Sequence, residues 1–361
     1  MLDAYDTARL VGIIADLRRP SNFLLRTYFN NYIGPTGRKK IVFDVEGRNT
    51  GMAMFCSPYV EGRPVRERGF STKEFEPAYV KPWMALDPDR PLKRRIGEDI
   101  GGEVEPEERF DAIVVANFDD LYRLCFNRIE KMAGEALVTG KNIVSGDGYE
   151  TQEVDYGRKA THTKTLTSTA RWGETDVSPV KDLESWNRQY TAENGYAPNR
   201  ITFDPKAFDL FRDDPLYEKA VNQDYKRQTE GSKADTLMFG DEEQGYMVGA
   251  LASGGATIEL WVYNQSFLDE NEVNQQVLPD YAVVLGSSNE NAQQTQAFGT
   301  IIDPTLGYRS ELIRDPYTGQ RMDVAPKLWG KPNPGQVFQM VQAAPLTALT
   351  KPNAILAATV R

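Results

Sequence analysis

Chemistry-bearing side chains are scarce in this sequence. Its 361 residues hold one histidine, His162, and two cysteines, Cys56 and Cys125. A Ser-His-Asp relay would have to pass through His162, because that chemistry places an imidazole between nucleophile and carboxylate. His162 sits among Thr161, Thr163 and Lys164 with no carboxylate close in sequence, and it reads as a solvated loop residue. One histidine and two distant cysteines cannot build a structural zinc site, and no His-Glu-x-x-His occurs. Cys56 lies in a strand-like run and Cys125 in a helical pattern, so both read as small core residues, reduced in a cytoplasm.

The weaker motifs fail in turn. Gly134 to Gly140-Lys141-Asn142 is a poor phosphate loop, since five residues separate the glycines and Asn142 replaces the Ser or Thr. Asp269-Glu270-Asn271-Glu272 lacks the glycine and spacing of a calcium loop and reads as a hairpin tip. Asp213 and Asp214 are the best carboxylate pair for a soluble hydrolase. Adjacent acids point different ways on a helix, however, and a solvated helix end is the expectation. The reading is therefore no enzyme, no cofactor and no metal.

Long apolar runs are missing too, so no segment has the length to cross a bilayer as a helix. Met1-Leu2-Asp3-Ala4-Tyr5-Asp6 carries acids where a secretory signal needs bases. Acids outnumber bases 52 to 42, for a net charge of −10, which argues against nucleic-acid binding as the main task.

What is present is a set of strong local patterns. The clearest is a helix from Glu107 to Thr139, with Phe110, Val114, Phe118, Leu121, Cys125, Ile129, Met132 and Ala136 in one apolar stripe. Pro106 and the acids before it suit the start, and Gly140 suits the stop. At about 1.5 Å per residue it would span roughly 50 Å, long for one compact domain. Residues Pro58–Pro82 interleave Arg63, Arg66, Arg68, Lys73 and Lys81 with Glu61, Glu67, Glu74 and Glu76. Their alternation predicts a two-stranded ribbon with its tip at Gly69–Thr72, which needs another surface to lie on because an isolated hairpin is marginal.

Shorter elements fill the rest. Helices are expected over Thr7–Leu17 and through Phe23–Phe29, and strands at Lys40–Val45 and Gly51–Tyr59. Asn142–Ser145 and Gln152–Asp155 should pair. A helix opens at Ser178-Pro179 and closes at Gly195, Ile201–Phe203 is a strand, and Asp204-Pro205 starts another helix. Leu216–Gln228 reads as one more. Strands are expected at Tyr246–Leu251, Thr257–Tyr263, Val273–Leu278, Tyr281–Leu285, Thr300–Ile302, Val337–Gln342 and Ile355–Val360.

Several segments, in order, are similar to the major capsid proteins of the phage lambda family, the phage major capsid protein E family. They are Ser57-Pro58-Tyr59-Val60-Glu61-Gly62, Arg66-Glu67-Arg68-Gly69 with Ser71–Phe75, and Tyr79-Val80-Lys81-Pro82. Glu153–Arg158, Phe203-Asp204-Pro205-Lys206, Leu278-Pro279-Asp280 with Val284-Leu285-Gly286, and Gln342–Leu346 continue the series. The resemblance covers nearly the whole chain.

It implies an α+β fold of the Hong Kong 97 (HK97) type, with an N-terminal arm (1–38) and an E-loop hairpin (52–85). A peripheral domain on the spine helix would comprise 39–51, 86–177 and 299–345, and an axial domain 178–298 and 346–361. It further implies self-assembly into pentamers and hexamers of an icosahedral head shell, formed in the bacterial host cytoplasm. Partners would be a separate scaffolding protein, given the short stretch before the hairpin, a portal protein and a decoration protein. DNA would be weakly contacted contents, which an acidic wall suits. Inter-subunit contacts are expected from Arg63, Arg66, Arg68, Phe70, Lys73 and Phe75 on the ribbon to Glu103, Glu105, Glu107 and Glu108 before and at the spine. Some relatives cross-link a lysine to an asparagine, for which Lys73 and Asn333 would be the positions; a noncovalent shell is expected here. An encapsulin-like cargo compartment is the alternative within the same fold.

Overall fold

The computed structural model describes residues 7–17, 20, 22–46, 55–57, 59, 61, 69–87, 89–90, 105–146, 148–222, 245–253, 255–268, 272–303, 322–332 and 335–361. Its longest element is the spine helix, Pro106–Thr139. Proline in the first turn costs no hydrogen bond, because those amides have no partner within the helix. Glu107 and Glu108 meet the positive end of the helix dipole. Gly140 stops the helix in the left-handed conformation at φ 75°, its N–H donating to the Ala136 carbonyl. The Arg158 guanidinium then donates to the orphan carbonyls of Leu137 and Val138. The expected apolar stripe is buried from Val114 to Ala136, with Phe110 partly so.

A seven-stranded sheet forms the second body. Its order is Thr163–Thr165, Ile355–Thr359, Ala282–Gly286, Arg200–Phe203, Ala256–Tyr263, Gly245–Ser253 and Val221–Asn222. Successive side chains in a strand point to opposite faces, and here both faces are covered. Trp261, Tyr263, Ala282, Val284, Ile355 and Ala357 join the core that contains the spine. Ile201, Phe203, Leu260, Val262, Val283, Leu285, Leu356 and Ala358 join a second core under helices Pro179–Asn194 and Pro205–Arg212. Residues 282–286 are buried without alternation because neither face sees water.

The segment before the spine is built into this arrangement. Helix Phe23–Tyr28 buries Phe23, Leu24, Leu25 and Tyr28, and Asn31–Ile33 pairs in parallel with Thr295–Phe298. A three-stranded sheet, Val324–Pro332, Gly335–Ala343 and Trp83–Leu86, packs against the spine through its central strand.

Several expectations need correction. Of the helix expected over Leu216–Gln228, the described part is helical over Tyr217–Ala220, after which Val221 and Asn222 pair with Leu251 and Ala250 at the sheet edge; residues 223–228 lie outside the described residues. Thr300–Ile302 is not a strand; Thr295–Phe298 is, held between Asn31–Ile33 and Pro345–Ala348. Cys56 is exposed, not a core residue, whereas Cys125 is buried.

His162 is the largest reversal. It is fully buried, its Nδ1 3.3 Å from the Ile355 carbonyl and its Nε2 3.2 Å from the Glu193 carboxylate. Burial pushes its pKa down, against the opposing pull of Glu193. Asp214 differs from a solvated helix end as well. It is buried and accepts from Ser178 Oγ at 2.6 Å, Val180 N at 3.0 Å and Leu216 N at 2.8 Å, so it ties two helix starts together.

Candidate assembly interface

The ribbon is the element whose exposure rises along its length. Its strands are Ile41–Glu46 and Phe70–Phe75, antiparallel, with Ile41 opposite Phe75 and Glu46 opposite Phe70. This moves the expected tip: Ser71 and Thr72 are mid-strand, facing Val45 and Asp44, so the connection lies between residues 46 and 70. The choice of partner follows from burial. Ile41, Phe43 and Phe75 share one face and are buried, with Phe43 against the ring of Tyr156 at 5.9 Å. On the other face Thr72 donates to Asp44 at 2.6 Å and Lys40 bridges Glu74 at 3.3 Å.

Burial fades along the ribbon. Phe75 is 7% exposed and Phe70 72%, while Phe55 and Tyr59, beyond it, are 105% and 97% exposed. Fully solvated phenyl and phenol groups gain nothing in an isolated chain, and burying one is worth about 1.5–3 kcal/mol.

The expected contact residues fall into three groups. Arg63, Arg66, Arg68 and Glu103 lie outside the described residues. Phe75 is spent inside its own core, so it is the one ribbon aromatic with little left to offer a neighbour. Phe70 is free to be covered, and Lys73 donates to the backbone carbonyl of Asp155, just past the end of the spine. Lys141 pairs with Glu153 at 2.6 Å and Asp155 at 3.2 Å in the same place. Glu105, Glu107 and Glu108 are exposed at the other end of the spine. At about 1.5 Å per residue, the helix separates the two ends by roughly 50 Å. The structure does not bring Lys73 and these acids together within one chain.

Other large apolar groups are exposed on the spine and the sheets. Val115 and Leu124 stand out from the spine helix, and Ile143 from the strand that follows it. On the outer face of the three-stranded sheet Trp83 is 59% exposed, with the Phe338 ring 5.7 Å away and Trp329 stacked on Phe338 at 5.4 Å. Among the described residues no cluster of His, Cys, Asp and Glu could hold a metal ion, and no helix is long and apolar enough to cross a membrane.

Sequence reasoning missed Glu130, a fully buried carboxylate on the spine. A signal was available, because Glu130 continues the row Phe118, Tyr122, Phe126 at steps of four, where an apolar residue belongs.

The chain is similar over nearly its full length to known capsid proteins. It is 30% identical over 357 residues to the major capsid protein of Escherichia phage lambda, covering 98% of both chains. It is 29% identical over 356 residues to that of Escherichia phage N15, again covering 98% of each. Among solved structures, the putative capsid protein of an E. coli CFT073 prophage superposes with a TM-score of 0.73 at 18% identity, over 99% of both chains. The capsid of Ralstonia phage GP4 gives 0.50 at 12% identity, over 96% of this chain and 88% of that one. The α+β fold is thus the HK97-type capsid fold that the resemblance implied. Residues 6–360 match the family described as phage major capsid protein E, and the chain belongs to that family.

Proposed function

We propose that this chain is the repeating subunit of an icosahedral phage head, assembling into pentamers and hexamers that close around double-stranded DNA. The observation that carries this reading is the match across 98% of both this chain and the lambda capsid protein. That full-length match to phage proteins favours a head shell over a cargo compartment. The protein resides in the virion capsid after assembly in the host cytoplasm. It works with a scaffolding protein, a portal protein and a decoration protein, and its charge of −10 suits a wall that confines DNA without holding it. The peripheral domain is built on the spine, and the axial domain on the seven-stranded sheet.

Subunits join through the ribbon. Its aromatic groups, Phe55, Tyr59 and Phe70, are covered by a neighbour, and its cations, Arg63, Arg66, Arg68 and Lys73, face the acids Glu103, Glu105, Glu107 and Glu108 of that neighbour. Lys73 at one end of the roughly 50 Å spine helix and Glu105, Glu107 and Glu108 at the other support this reading. Opposite charges at opposite ends favour a head-to-tail contact, and repeated head-to-tail contacts close into rings. Negative-stain microscopy of the purified chain tests the proposal. Shells, tubes or ring-shaped capsomers are expected, and uniformly dispersed monomers at high concentration would refute it.

A further inference from the structure

Glu130 sits in the spine with none of its side chain exposed. Its carboxylate accepts the Leu24 N–H at 2.7 Å and the Leu25 N–H at 3.1 Å, from the first turn of helix Phe23–Tyr28. It also lies 2.8 Å from the hydroxyl of Tyr263, at the end of strand Ala256–Tyr263. One side chain therefore ties the spine, the N-terminal helix and the seven-stranded sheet together.

Charged groups on the surrounding elements are engaged elsewhere or exposed. On the N-terminal helix Arg26 is exposed. On the spine Arg128 is exposed and Lys131 lies over the Phe267 ring. On the sheet Arg200 pairs with Glu259 at 2.9 Å. The hydrogen bonds that Glu130 receives come from neutral donors.

The hydroxyl of Tyr263 gives this cluster two arrangements. It also lies 2.5 Å from the Oε1 of Gln265, and a phenol has one hydrogen to donate. With Glu130 ionised, Tyr263 donates to the carboxylate. With Glu130 protonated, the acid donates to the Tyr263 oxygen, and Tyr263 turns its hydrogen to Gln265. Both protonation states thus find partners without moving the backbone.

The N-terminal helix is fitted onto the sheet in a way that makes its docking a distinct event. Phe23 lies against Gly245, where an added Cβ would come within 2.8 Å of its ring, and Tyr28 lies against Gly286, where the gap would be 2.7 Å. Phe23 also packs on Trp261 at 5.4 Å and Tyr263 at 5.3 Å, and Tyr28 bonds Thr202 at 2.8 Å.

We propose that Glu130 is a proton-operated latch, whose charge state sets how tightly the Phe23–Tyr28 helix is held to the spine and the seven-stranded sheet. Burial pushes the Glu130 pKa up to about 7, partly offset by the bonds from Leu24, Tyr263 and Leu25. When the helix lifts away, water reaches the carboxylate and its pKa returns towards 4.5. The docked form therefore binds the proton more tightly than the undocked form. Docking is strongest below the lower value and is progressively lost as pH rises through the upper one.

Hydrogen exchange of the full chain, read by mass spectrometry on peptides covering residues 22–33, tests the latch. After correction for intrinsic exchange, protection should fall about tenfold between pH 6 and 8.5. In E130Q, which cannot ionise, protection should stay flat across the range, at a level lowered by the one backbone N–H bond that an amide nitrogen cannot accept. A flat wild-type profile, or an unchanged slope in E130Q, would overturn the proposal. Should E130Q fail to fold, infrared titration of the wild type replaces it. A carboxylic-acid carbonyl band lost with a midpoint near 7 supports the latch, and loss of all such bands by pH 5.5 refutes it.

Discussion

The seven-stranded sheet and the ribbon are both made of β-strands, yet they solve opposite problems. In the sheet, residues 282–286 are buried on both faces, between a core shared with the spine and a core under two helices. The ribbon buries one face near its base, at Ile41, Phe43 and Phe75, and then exposes its aromatics in full at Phe55 and Tyr59. The sheet is finished as a monomer. On the proposed reading the ribbon is completed by another subunit, which would remove its apolar area from water. That reading gives stability to the seven-stranded sheet and spine, and assembly to the ribbon.

That division can be attacked first where stability should suffer most. Leu121→Pro places a proline in the middle of the spine on a fully buried position. It should cost about 3 kcal/mol or more, through the lost hydrogen bond and the ring clash. The expected outcome is insoluble or unfolded protein, checked by solubility and far-UV circular dichroism; soluble, assembly-competent protein would contradict the spine's role. Arg158→Met comes next. It removes the donors that satisfy the Leu137 and Val138 carbonyls at the end of the spine. A loss of about 1.5–3 kcal/mol is expected in urea unfolding, the range for hydrogen bonds to a charged group.

Ribbon charges should move stability least. Arg66→Glu with Arg68→Glu should leave the melting temperature within about 2 °C of wild type, as surface changes usually do. It should nevertheless block closed shells, and Lys at Glu105 and Glu107 should partly restore them. An exposed ion pair contributes about 0–1 kcal/mol, but a shell repeats the contact at every subunit. Normal shells from the double reversal at low salt, where screening is weakest, would leave docking to the aromatics alone.

How much of this was legible in the sequence depended on range. The spine was readable to within a residue because its stripe, its proline start and Gly140 are local signals. So were Ser178 and Asp204 as helix caps, both of which accept backbone N–H bonds in the structure. The ribbon's pairing was not, because Ile41–Glu46 selects Phe70–Phe75 through a shared core on Tyr156, far along the chain. Likewise His162 carries a polar neighbourhood in sequence, and its burial is created by Glu193 and Ile355 from distant segments. Cys56 misled for the opposite reason: an apolar run containing Phe55 looks like core whether its cover is its own chain or another.

The central claim is that the ribbon's exposed aromatics are assembly groups with no part in the fold of the monomer. Phe55→Ser with Tyr59→Ser tests it most directly, by electron microscopy alongside thermal melting, under conditions where the wild-type chain forms shells. A folded protein melting within about 2 °C of wild type that forms no closed shells is expected. Normal shells from this variant, or a monomer that no longer folds, would contradict it.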